Sequence, residues 1–112
     1  MRREVPSEYK GMWLFVIFDL PVGEKIQRKA YAKFRKKLLS EGFSMLQFSV
    51  YARYGTSREN AVTYANRVKN IIPREGEVRL ISITDKQFGD MEVFYGKSRR
   101  NSEEPPDQLM LF

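Results

Sequence analysis

Cysteine and histidine are both missing from the 112 residues. Without cysteine there is no disulfide, no thiolate metal site and no thiol nucleophile. Without histidine there is no imidazole base and no His–metal cluster. Any catalysis must rest on carboxylates, hydroxyls, lysine or arginine, with a divalent cation held by oxygen ligands where a metal is needed. Long apolar runs are missing too. The longest, around Met12–Phe18, is far too short to cross a bilayer. Met1-Arg2-Arg3-Glu4 leads into polar residues rather than a secretory core. These features point to a cytoplasmic protein with no membrane partner.

What is present is positive charge. Twenty Lys and Arg face fourteen Asp and Glu, for a formal charge of +6. A surplus of this kind favours polyanions, nucleic acid first. The hydrophobic fraction of 42% and aromatic fraction of 13% are ample for one packed domain. A domain this small still leaves apolar surface outside its core, which dimerisation would bury.

Residues 1–11 are polar and read as an N-terminal arm. Met12 to Phe18 is a continuous apolar run suited to a central strand covered on both faces. Asp19 interrupts it, and Pro21 and Gly23 mark a turn. Glu24 to Glu41 reads as a helix, because Ile26, Ala30, Phe34 and Leu38 recur every four residues. Phe43 to Tyr54 reads as one strand, long enough that a bend or bulge near Ser49 could split it. A second helix, capped by Ser57 or Thr56, is expected to reach Ile72. Glu77 to Thr84 alternates as a strand, and Met91 to Tyr95 is a shorter one. Residues 12–96 thus form an α+β domain, best matched by a ferredoxin-like sandwich: an antiparallel sheet with two helices on one face. Residues 97–107 read as a linker containing Pro105-Pro106. Residues 108–112 read as a C-terminal strand.

Three features carry candidate chemistry. Lys25, Arg28, Lys29, Lys33, Arg35, Lys36 and Lys37 fall within thirteen residues of the first helix, with no acid between them. Solvated helix faces usually mix signs, because opposite charges at i,i+4 stabilise the helix. An unrelieved positive face is stabilised by phosphates instead. Lys97, Arg99 and Arg100 form a second basic cluster. No pattern for base reading is present, so backbone binding is expected. Asp19 closes a strand at the sheet rim. Alone it reads first as a turn-forming carboxylate, but two related by a dimer axis could bind a cation with waters. Leu109, Met110, Leu111 and Phe112 are too apolar to hang free and are expected to add a strand to an open sheet edge, in the same chain or its mate.

Leu14-Phe15-Val16-Ile17-Phe18-Asp19-Leu20-Pro21, Arg28-Lys29-Ala30-Tyr31, Phe34-Arg35-Lys36-Lys37-Leu38-Leu39 and Glu41-Gly42-Phe43 resemble the CRISPR-associated protein 2 family. So do Met45 to Tyr51, Ile83 to Phe88 and Asp107 to Phe112. The likeness is strongest to members from type II systems. It implies a ferredoxin-like homodimer, completed across the dimer by the C-terminal strand. It also implies a partnership with the CRISPR-associated protein 1 integrase, supporting double-stranded DNA during spacer acquisition. Some family members have been assigned metal-dependent endonuclease activity on RNA or DNA. In that assignment Asp19 would be the catalytic and metal-binding residue, with magnesium shared between protomers.

The sequence therefore yields two readings. In the first the chain is a sequence-nonspecific DNA-binding adaptor of the integration complex. In the second it is a magnesium-dependent endonuclease acting on single-stranded RNA or double-stranded DNA, an activity the adaptor role does not require.

Overall fold

The computed structural model describes residues 11–100. Strand β1 (Met12–Asp19) lies at the centre, between β3 (Val50–Gly55) and β4 (Glu77–Thr84), and both pairings are antiparallel. Strand β2 (Ser44–Gln47) closes the far edge, giving the order β2-β3-β1-β4. Helix α1 (Lys25–Ser40) connects β1 to β2, and α2 (Arg58–Lys69) connects β3 to β4. Two interleaved β-α-β halves with the first and third strands in the middle define a ferredoxin-like α+β fold, as the hydrophobic pattern implied.

Side chains alternate across β1. Met12, Leu14, Val16 and Phe18 are buried on the helix side, whereas Ile17 is 38% exposed on the other. Phe34 and Leu38 from α1, Val68 from α2, and Phe43 and Tyr51 complete the core. Phe18 packs edge-on against Phe34, with centroids 5.1 Å apart. The expectation that β1 is covered on both faces is therefore corrected for the single chain. The second face of the sheet carries Phe15, Ile17, Val50 and Ile81, and among the described residues no helix lies across most of it.

The long segment Phe43 to Tyr54 is two strands, not one. Phe48 and Ser49 form the turn between β2 and β3, with Ser49 at φ +64°. The Ser49 carbonyl accepts from the Phe18 amide at 3.0 Å, tying the turn to the end of β1. Helix α2 ends at Lys69, short of Ile72. The Asn70 and Ile71 amides turn back to the Arg67 and Val68 carbonyls, and Pro73 disfavours helical geometry at Ile72. A one-turn helix, α3 (Asp85–Gly89), follows β4. Its signal is the capping box of Thr84 and Gln87, read in the sequence only as part of a family motif. The segment from Met91 shortens to β5 (Val93–Tyr95). The stretch read as a linker from residue 97 begins instead with β6 (Ser98–Arg100), which pairs with β5 around a Gly96-Lys97 turn. Almost all of the N-terminal arm, the rest of the linker and the C-terminal strand at 108–112 lie outside the described residues.

Candidate nucleic-acid interface and strand-end carboxylate

Helix α1 begins at Lys25, and its first turn holds no acidic residue. Cations there oppose the positive end of the helix dipole, which an anion would relieve. Lys25, Lys29, Lys33 and Lys36 are exposed at spacings of four, four and three residues, so they form a row on one side of the helix. None of them joins an ion pair among the described residues. All four are residues expected from the sequence at a nucleic-acid interface, and the helix brings them together.

Arg28, expected in the same set, is exposed and also makes local bonds. Its Nη1 donates to the Val22 and Gly23 carbonyls, both at 3.0 Å. Arg28 thereby braces the turn that leaves Asp19. Gln27 helps: its Oε1 accepts from the Glu24 amide at 3.0 Å, and its Nε2 reaches Glu75 at 3.4 Å. Gly76 presses on the same corner at φ +97°. A Cβ there would lie 2.6 Å from the Asp19 carbonyl oxygen, so only glycine fits. Of the second basic cluster, Lys97 is exposed at the β5–β6 turn, and Arg99 and Arg100 belong to β6. They sit on a different element from the α1 row.

Asp19 is exposed at the end of β1 and pairs in register with Glu77 at the start of β4. Directly opposed residues in an antiparallel pair share a face, with Cβ atoms about 4.5–5.5 Å apart. Two carboxylates thus neighbour each other at the sheet rim, a proximity that sequence spacing could not reveal. Glu77 is also engaged by Arg79, with Nη2 3.1 Å from Oε1. Among the described residues no cluster of three or more acidic groups could hold a metal ion. Asp19 and Glu77 are therefore a pair and not part of a larger acidic cluster among the described residues.

Behind the sheet, Tyr51 is almost wholly buried. Burial pushes its phenol above the ordinary value of 10.0, and the nearby Arg35 guanidinium pulls the other way. Arg35, counted with the basic run by sequence, is thus half-buried and faces the core.

Fold and rim residues together define a small ferredoxin-like domain with a basic first helix and a carboxylate ending its first strand. Residues 12–91 match the family model for the CRISPR associated protein Cas2. The chain is 48% identical over 106 residues to the CRISPR-associated endoribonuclease Cas2 of Flavobacterium psychrophilum, covering 95% of this chain and 92% of the relative. It is 48% identical over 101 residues to the protein of the same name from Parvibaculum lavamentivorans, covering 90% and 100%. A third such protein, from Ligilactobacillus salivarius, is 43% identical over 96 residues, covering 83% and 95%. The chain belongs to the CRISPR-associated Cas2 family.

Proposed function

We propose that the chain acts as a homodimeric, sequence-nonspecific adaptor that binds double-stranded DNA beside the CRISPR-associated protein 1 integrase during spacer acquisition. The row Lys25, Lys29, Lys33 and Lys36 carries this reading. It is a row of exposed cations on one side of the helix with no ion-pair partner among the described residues, the kind of face that meets phosphates rather than base edges. The open apolar face of the sheet supports the dimer. Ile17 and Ile81 are 38% and 51% exposed there, and a second copy of the same face would cover both.

Duplex affinity should fall steeply with salt and depend little on sequence. Each phosphate contact removed should reduce the log–log salt slope by roughly 0.9. Replacing Lys25, Lys29 and Lys33 with Gln should flatten the slope accordingly. An unchanged slope would assign α1 to a solvated face.

The second reading is a nuclease, supported by the exposed Asp19 and by the endoribonuclease names of the relatives. Magnesium takes one or two carboxylates and keeps several waters, so two Asp19 side chains related by a dimer axis would supply its protein donors. A cleavage activity that survives Asp19→Asn would refute the assignment of Asp19 as its essential residue.

A further inference from the structure

Arg53 lies on β3, on the helix side of the sheet, away from both Asp19 and the α1 row. Its guanidinium is stacked 3.7 Å from the centroid of the Tyr64 ring. On another side it rests against Gly42, where a Cβ would collide with its Nη1. Gly42 has φ +88°, so glycine both permits the turn and leaves the space the guanidinium fills. The cation is therefore held in place. Yet no carboxylate pairs with it among the described residues, and its buried Nε has no hydrogen-bond partner. The nearby Glu41 is taken by Arg67, at 2.9 Å. A partly buried cation fixed in position without an anion is costly to desolvate, and a bound anion offsets that cost.

Beside Arg53 opens a cavity of about 500 Å³. Ligand sites for small molecules occupy about 300–1,000 Å³. Arg53, Ser44, Thr56 and Asn60 supply its polar groups; around the edge of β3, on the other face of the sheet, it is lined by the exposed Tyr54 and by Trp13, whose ring face Phe88 covers. No carboxylate lines it. Asn60 is oriented by accepting from the Thr56 amide through Oδ1 at 3.2 Å, which leaves its Nδ2 as a donor. At the start of α2 the Asn60 amide is already capped, donating to Ser57 Oγ at 3.0 Å. The charge at this cavity is that of the Arg53 side chain. Strand β2 reaches only to Ser44, opposite Ala52, so the outer edge of β3 beyond Ala52 is open toward this cavity.

We propose that this cavity is a seat for a single nucleotide that wraps the open edge of β3, its phosphate on Arg53 and Asn60 on the helix side and its base against the exposed Tyr54 ring on the other. A held guanidinium next to aromatic surface is the chemistry that takes an unpaired nucleotide: charge for the phosphate, a flat apolar face for the base. The same chemistry would accept a free mononucleotide or the unpaired end of a strand. As the unpaired end of a duplex bound along α1, the seat rests on the DNA-binding reading above.

The sole tryptophan of the chain lines the cavity, so its fluorescence reports occupancy directly. Full-length protein is titrated with deoxyadenosine monophosphate, deoxyadenosine and inorganic phosphate, and in parallel with labelled duplexes that are blunt or carry a three-nucleotide overhang. The monophosphate should quench Trp13 saturably and more tightly than either fragment, and the overhang should strengthen duplex binding. Arg53→Gln should weaken both effects at least tenfold while leaving blunt-duplex affinity unchanged. Ser44→Tyr, which fills the cavity from an exposed strand position and leaves the cation alone, should do the same in a protein of unaltered circular dichroism. Absence of saturable quenching, quenching indifferent to both substitutions, or inorganic phosphate binding as tightly as the nucleotide would overturn the proposal. No gain from the overhang, with blunt duplex bound normally, would overturn its strand-end form. Loss of all duplex binding with nucleotide quenching intact would instead refute the adaptor reading and leave the seat standing.

Discussion

Tyr51 links a core contact to pH. Its phenol is raised by burial, so it is neutral over the whole ordinary range. A folded-state value above the unfolded one means that the contribution to stability is complete below the unfolded value of 10.0 and is lost as pH rises through the folded one. Thermal stability should therefore decline above about pH 10, and Tyr51→Phe should remove part of that decline. Melting temperatures of both proteins from pH 8 to 11 test this. A parallel decline in the two would show that other groups are responsible. Asp19 was legible in the sequence as a strand-ending carboxylate. Its neighbour Glu77 was not, because a pair so distant in sequence becomes a pair only through strand register. Arg28 was legible as charge, whereas its bonds to the Val22 and Gly23 carbonyls were not, because a local pattern does not show which groups a guanidinium meets.

Among the elements, α1 was the most legible, because a four-residue apolar spacing and an unbroken basic run are both local patterns. The hairpin of β2 and β3 was half legible. Its residues read as strand throughout, and the turn at Phe48-Ser49 lacks the Gly or Asn that usually marks one. Its position follows from the bond between Ser49 and Phe18, a tertiary contact. The hairpin of β5 and β6 was obscured by polar composition from residue 97 onward. The corner joining β1 to α1 depends on an element far away in sequence: Gly76, at the approach to β4. Gly76→Ala should strain a left-handed backbone and push on the Asp19 carbonyl, costing about 1–3 kcal/mol. Chemical denaturation would measure it, and a loss below 0.5 kcal/mol would mean that the corner yields freely, against the usual cost of about 1 kcal/mol or more for such strain.

At the scale of the whole domain, the sheet has a helix-covered face and an apolar face whose centre no helix covers among the described residues. Trp13, at one end of the open face, is already covered by Phe88, with stacked rings 3.9 Å apart. The centre, around Phe15, Ile17, Val50 and Ile81, is what a second copy would bury. A charge introduced there should be unfavourable only in the assembly, since Ile81 is half exposed in one chain. Ile81→Arg should thus shift sedimentation toward monomer without lowering helix content. An unchanged dimer would move the interface elsewhere, the segment at 108–112 being the next candidate.

The adaptor and nuclease readings differ in what they ask of Asp19. A folded dimer with a cationic face does not need that carboxylate, and removing a negative charge should not weaken phosphate binding. A metal-dependent cleavage cannot proceed without its ligand. The decisive measurement is integration of a labelled duplex by the integrase in the presence of Asp19→Asn protein, with its dimeric state verified. Integration equal to that of the unmodified chain is the result expected of an adaptor. Collapse of integration in a folded dimer would contradict it and place Asp19 chemistry in the main function.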